Sequence, residues 1–149
     1  MRAILQRVSR ARVVVDGETV GAIGRGWAIL LGIGQGDDEA TAAALVDRIV
    51  NLRVFGDAEG KMNLSAADVG AQFLIVSQFT LYADLSRGRR PSFVRAAPPD
   101  VAEPLVEHFA RLIRDRGFTV AAGRFGAMMD VELTNQGPVT IALSTDGWS

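Results

Sequence analysis

The sequence predicts an α+β domain with a mostly antiparallel, curled or barrel-like sheet and two main helices. Three observations carry this. Short β-rich apolar runs recur from Met1 to Leu143. Two stretches hold a helical apolar stripe. The strands and helices do not alternate regularly, which disfavours a sheet built from βαβ crossovers. With 149 residues and no repeat, low-complexity segment or linker, one domain spanning 1–149 is the economical organisation.

Met1–Val8 and Arg12–Val15 are short strand-like runs. Asp16-Gly17 is a two-residue hairpin signal, since glycine at the second position accepts a positive φ. Glu18–Ile23 is the returning strand, Gly24–Gly26 breaks it, and Trp27–Ile33 reads as a buried strand. Gly34–Asp38 forms a loop ending in a helix cap, where Asp37 or Asp38 can accept the first free amides. The helix Glu39–Leu52 places Ala42, Leu45, Val46, Ile49 and Val50 on one face. Asp57–Gly60 is a turn. Gln72–Tyr82 begins as an apolar β run and turns polar at Ser77-Gln78. Ala83–Ala97 is a loop carrying Arg87, Arg89, Arg90 and Arg95. A second helix starts between Asp100 and Pro104, because proline is tolerated in the first turn, and it ends at Gly117. Leu105, Phe109, Leu112 and Ile113 are its buried stripe. Strands follow at Thr119–Ala122, Met128–Thr134 and Val139–Leu143.

Composition narrows the chemistry. Apolar residues make up 48% and charged residues 22%, which suffices for a core and argues against disorder. No apolar run approaches the roughly 20 residues of a membrane span. The basic start MRAILQRVSRARV lacks the long apolar stretch of a signal peptide, so a cytoplasmic protein is expected. There is no cysteine, so thiolate nucleophiles, disulfides and cysteine-ligated metals are excluded. A net charge of −1 gives no global pull toward nucleic acid, so any RNA contact needs a local basic patch. The one histidine, His108, lies beside the stripe of the second helix and reads as structural, which leaves no Ser-His-Asp triad. Asp37, Asp38 and Glu39 read as a helix start rather than metal ligands, and no phosphate-binding loop is present. Neither metal nor cofactor is expected.

Two segments resist a purely structural explanation. Ser77-Gln78-Phe79-Thr80-Leu81 either leaves the core as a solvated strand end or lines a polar pocket. Thr80 has no base near it in sequence, so it is a poor nucleophile. Asn135-Gln136-Gly137-Pro138-Val139-Thr140 is ordinarily a turn, but a Gly-Pro bond can be cis and then point two carbonyls the same way.

SQFTLYAD at 77–84 resembles the Ser-Gln-x-Thr-Leu motif of the D-aminoacyl-tRNA deacylase family, also called D-tyrosyl-tRNA(Tyr) deacylases, and NQGPVT at 135–140 resembles its Gly-Pro-Val-Thr motif. Gln136 stands where many members carry an acidic residue. The blocks at 2–17, 30–37, 60–65, 87–93 and 123–135 are also similar, so the likeness spans the chain. The resemblance implies a homodimer acting on tRNA, with no DNA or membrane partner and the active sites at the interface. It implies that Ser77, Gln78, Phe79, Thr80 and Leu81 surround the scissile ester. Phe125, Gly126, Ala127 and Met129 would receive the terminal adenosine. Gly137-Pro138, with Val139 and Thr140, would be cis and reach into the partner's pocket as a filter against L-amino acids, steadied by Arg7. A filter of that kind admits glycine.

The substrate itself suggests how a site without histidine or cysteine can work. An aminoacyl-tRNA ester carries a vicinal ribose 2′-OH able to orient or activate water, leaving the protein to position and stabilise charge. Amides near Gln78–Thr80 would hydrogen-bond the developing oxyanion, each donor contributing about 2.7–4 kcal/mol to the barrier. The arginine cluster at 87–95 either neutralises acceptor-stem phosphates or is solvated or paired at the dimer interface. Competing readings are a related L-specific editing domain, a related fold with a trans Gly-Pro, a non-catalytic RNA-end or protein-interaction module, and a general esterase using Thr80.

Overall fold

A computed structural model describes residues 1–148. The chain begins with β1 (Arg2–Val15), one strand of 14 residues. Two separate runs were expected here. The polar pair Ser9-Arg10 does not break the strand, because only its side chains face water while Arg10 still pairs with Thr134. β1 pairs antiparallel with β3 (Gly26–Gly32) through Arg2–Val8 and with β2 (Glu18–Ile23) through Ala11–Val15. The Asp16-Gly17 hairpin has both residues at positive φ, 49° and 79°, as a type I′ turn requires.

The helix α1 (Glu39–Val50) is capped by Asp38, whose carboxylate accepts from the Thr41 amide at 2.9 Å while the Thr41 hydroxyl accepts from the Asp38 amide. Asp37 instead accepts from the Gly34 amide at 2.7 Å. The buried face of α1 is the expected one. A small hairpin, β4 (Phe55–Gly56) with β5 (Met62–Leu64), and a one-turn helix α2 (Ala66–Val69) follow. None of the three is long enough to show a period.

β6 (Gln72–Ser77) then runs parallel to β3, and β7 (Val120–Ala122) runs parallel to β6. The sheet is therefore mixed, with its three pairings to β1 antiparallel. The apolar run does not continue as strand to Tyr82; it folds into a 3-10 turn at Phe79–Tyr82. α3 (Pro99–Asp115) begins one residue before the expected window, so Pro104 lies beyond the first turn. The carbonyl deprived of its donor belongs to Asp100, which is exposed to water at the helix start. Gly117 ends the helix at φ 90°.

The last strand, β8 (Asp130–Ser144), is one strand of 15 residues rather than the two expected. It pairs with β1 along nearly its whole length. Gln6 faces Thr140 and Val8 faces Asn135, so residues 136–139 bulge out opposite Arg7 alone. The opposite side of the sheet curls until β2 rides on β7. That approach depends on Gly21, where a Cβ would meet the Ala122 carbonyl oxygen at 2.5 Å.

The curl creates two cores. Outside it, Leu5, Trp27, Ile29, Phe73 and Ile75 pack against α1 and α3, with Trp27 edge-on to Phe55 at 5.3 Å. Inside it, Val8, Val13, Ala28, Leu74 and Val76 pack together. β6 thus buries alternate residues on both faces, and its carboxyl end opens between the layers at Ser77.

Candidate active site

The end of β6 and the segment after β7 meet at one cavity of about 750 Å³. Ser77, Gln78, Phe79 and Thr80 form one wall. Phe125, Gly126, Ala127 and Met129 form another, with Met128 and Val131. Ile33, Val76, Phe93, the stretch Ala96–Pro99 and Ala102 supply the rest. Two sequence blocks nearly fifty residues apart thus come together. The volume lies in the range of small-ligand pockets. Among the described residues, the lining carries no charged side chain.

The local geometry follows from β6 ending. The Gln78 amide still donates to the Leu31 carbonyl at 2.8 Å, continuing the parallel ladder. The next two amides, Phe79 and Thr80, start the 3-10 turn and have no acceptor among the described residues. The candidate oxyanion donors are therefore Phe79 and Thr80, and Gln78 is excluded because its amide is already used. The Gln78 side-chain amide donates to the Thr80 hydroxyl. Among the described residues, no histidine, lysine or carboxylate lines the cavity to act as a base for that hydroxyl. Phe79 is 55% exposed and stands edge-on to Phe93 at 4.9 Å, while Met128 is 91% exposed at the rim.

Leu81 points elsewhere. It does not line the cavity, its carbonyl accepts from the buried Arg2 guanidinium at 2.9 Å, and its side chain packs toward Gly32. Burial first, then the nearby carboxylates of Asp37 and Asp146, push the Tyr82 hydroxyl far above its ordinary pKa, so it stays protonated.

Gly137, Pro138, Val139 and Thr140 do not line this cavity; the first three belong to the bulge of β8, and Thr140 resumes the pairing opposite Gln6. The Gly137-Pro138 peptide is cis. Arg7 grips the bulge from β1, donating to the Gln136 carbonyl from Nε at 3.1 Å and from Nη2 at 2.9 Å. Its Nη1 donates to the Val54 carbonyl at 2.7 Å, tying the bulge to the segment after α1. Asn135 clasps the bulge from within. Its Oδ1 accepts from the Val139 amide at 2.7 Å, and its Nδ2 donates to the Val139 carbonyl at 3.2 Å and the Thr140 hydroxyl at 3.0 Å. The sequence reading missed Asn135 as a functional candidate. The available signal was an asparagine opening an Asn-Gln-Gly-Pro turn, where its side chain commonly bonds nearby backbone. Phe93 was also missed, since an isolated aromatic in a polar loop carries no periodic signal.

His108 sits half-buried on α3 and lines no cavity residue set with Thr80. No group of three His, Asp or Glu side chains suited to a metal exists among the described residues. In the 83–97 loop, the Asp84 carboxyl is held below its usual pKa chiefly by hydrogen bonds from Ser86, helped by Arg87 and Arg95. Arg95 also lies 3.9 Å from Asp146.

The chain is similar to known proteins over nearly its whole length. The chain is 59% identical over 145 residues to a D-aminoacyl-tRNA deacylase of Roseiflexus castenholzii, covering 97% of this chain and 92% of the relative. It is 54% identical over 147 residues to a D-aminoacyl-tRNA deacylase of Heliobacterium modesticaldum, covering 99% and 98%. Among solved structures it superposes on the c-Myc DNA Unwinding Element Binding Protein with a TM-score of 0.91 at 42% identity, covering 97% of this chain and 99% of that one. A structure titled as a "probable eukaryotic D-amino acid tRNA deacylase" shares the fold at a TM-score of 0.78 and 20% identity, covering 95% and 97%. The profile of the D-Tyr-tRNA(Tyr) deacylase family matches residues 4–144, and the chain belongs to that family.

Proposed function

We propose that the protein hydrolyses the ester joining a D-amino acid to the 3′ end of tRNA. The observation that carries this reading is the convergence of 77–80 and 125–129 on one uncharged cavity, beside two free amides at Phe79 and Thr80. The apolar wall at Phe125–Met129 suits a terminal adenosine, held by packing and base-edge contacts as single-stranded bases usually are. The ester carbonyl then lies against the free amides. Water attacks the carbonyl carbon, the oxyanion accepts from Phe79 and Thr80, and the C–O bond to the ribose breaks. The leaving 3′-oxygen takes a proton, and the products are the free amino acid and tRNA. With no base lining the cavity, the vicinal 2′-OH of the substrate orients or activates the water, and Thr80 positions rather than attacks.

Stereochemical selection rests on the 136–139 bulge. Its anchoring by Arg7 and Asn135 makes it rigid enough to reject by clash. It does not line its own chain's cavity, and the rim there exposes Phe79 and Met128. A homodimer in which each bulge enters the partner's cavity satisfies both facts. Such a filter admits glycine, so glycyl-tRNA, including glycine mischarged on tRNA(Ala), is a second substrate. The cell compartment is then the one where tRNA is charged, the cytoplasm.

The test is hydrolysis of D- and L-tyrosyl-tRNA, each also prepared on tRNA ending in 2′-deoxyadenosine. The expected result is loss of the D ester only, abolished in the deoxy substrate. Cleavage of both stereoisomers, or of the deoxy ester, would replace this reading with a general esterase; cleavage of neither would leave an RNA-end binding module.

A further inference from the structure

A second cavity, of about 480 Å³, adjoins the first and shares Ser77 and Phe125 with it as a common wall. α3 runs beneath both. Pro99 and Ala102 face the first cavity, while Glu103, Glu107, Arg111 and Arg114 face the second. Arg124, immediately before the Phe125–Met129 wall, closes it from the other side. The electrostatic contrast is sharp: the first cavity has no charged lining, and the second has five charged side chains.

Arg111, Arg114 and Arg124 are all exposed and have no carboxylate within 4.0 Å among the described residues. Arg114 makes a single long contact, 3.4 Å to the Val120 carbonyl. Unpaired guanidiniums grouped on one cavity suit phosphate, which they bind bidentately. By contrast, Arg87 and Arg95 in the 83–97 loop already face Asp84 and Asp146. With the helical rise of about 1.5 Å per residue, Arg111 and Arg114 lie roughly 13–18 Å along α3 from Ala102. That distance suits the nucleotides preceding the terminal one.

We propose that this second cavity is the subsite for the single-stranded RNA leading to the terminal adenosine. Arg111, Arg114 and Arg124 neutralise its phosphates. Glu103 and Glu107 accept from exocyclic amino groups of its bases, the role carboxylates take toward cytosine. The strand enters over Arg114, passes Phe125 and delivers its last nucleoside to the uncharged cavity. This assignment rests on the deacylase reading above and replaces the 87–95 loop as the principal phosphate contact.

The experiment compares D-tyrosyl-tRNA with D-tyrosyl-adenosine, which lacks all upstream phosphates. The triple variant R111Q/R114Q/R124Q is set beside R87Q/R89Q/R90Q and wild type. Three phosphate contacts on a single strand predict a salt slope of log kcat/KM shallower by about 2 in the first variant. Between 50 and 200 mM salt, wild-type turnover of the tRNA ester should therefore fall roughly 15–20-fold more steeply. At low salt the ratio of tRNA-ester to adenosyl-ester kcat/KM should drop at least about tenfold. The milder single variant Arg111→Gln should shift both readouts partway, which separates contact loss from misfolding. An unchanged slope, an equal fall for both esters, or a larger effect in the 87–90 variant overturns the subsite while leaving the deacylase intact. Wild type inactive on both esters refutes the deacylase reading and the subsite with it.

Discussion

Replacing Asn135 by alanine isolates the clasp on the β8 bulge. The substitution removes three hydrogen bonds, one to the Val139 amide and one to its carbonyl. Val139 is buried, so water restores those bonds only in part. An unsatisfied buried backbone group costs about 1–3 kcal/mol, and partial hydration places the sum for this pair near ~2 kcal/mol. For a chain of this size that lowers Tm by roughly 4–8 °C. If the same energy holds the bulge in its working position, kcat/KM on D-tyrosyl-tRNA falls about 30-fold. Asn135→Asp keeps the acceptor for the Val139 amide but sets a carboxylate oxygen against the Val139 carbonyl, so it should also fall below wild type. Thermal unfolding and single-turnover deacylation, run on all three proteins, read both quantities. A variant N135A with wild-type Tm and wild-type D-ester turnover would refute the view that this side chain fixes the bulge.

Gly137 sits at φ 132°, and an added Cβ would lie 3.0 Å from both Arg7 Nη2 and Val139 Cγ2. Gly137→Val should abolish turnover of the D ester without producing activity on the L ester, since strain of about 1–3 kcal/mol and a clash fall on the bulge together; retained D-specific turnover would sink the filter. Thr80→Ala should lower kcat about tenfold or less, as for loss of a positioning contact, and mass spectrometry should find no acylated Thr80 in wild type; a trapped acyl-Thr80 would assign it as nucleophile. Gly26→Ala places a Cβ 1.8 Å from the Gln72 carbonyl where β3 meets β6, so the variant should be insoluble or unfolded by circular dichroism. Asp38, Asp57, Asp68 and Asp84 all have carboxyl pKa values held below normal, chiefly by hydrogen bonds from Thr41, Lys61, Ser65 and Ser86 respectively. Their stabilising effect is full above the ordinary carboxylate pKa of about 4 and is lost as pH falls through the lowered values. Tm should therefore decline below about pH 4, with no matching transition near neutrality.

The sequence alone determined the parts that depend on short-range chemistry. The capping of α1, its apolar face, the Asp16-Gly17 hairpin and the glycine stop of α3 are each set by residues within a few positions of one another. The two chemically unusual segments were legible for the same reason, as polar residues interrupting an apolar run and as a Gly-Pro between two strand-like runs. Tertiary structure decided what those segments face. Parallel pairing of β6 with β3 uses the Gln78 amide and frees those of Phe79 and Thr80, a division that pairing partners set and local pattern cannot. The Ser9-Arg10 and Gln136–Val139 interruptions are absorbed into continuous strands because β1 and β8 pair on either side of them. Leu81 reads as part of the pocket motif, yet the 3-10 turn rotates it toward Gly32 and Arg2. The separation of an uncharged cavity from an arginine-rich one arises only where α3 passes under two strand ends, since Arg111, Arg114 and Arg124 share no sequence signature. Local residues fix turns and caps because the interacting groups are covalently close; which groups meet across the sheet is set by packing, which the chain order does not encode residue by residue.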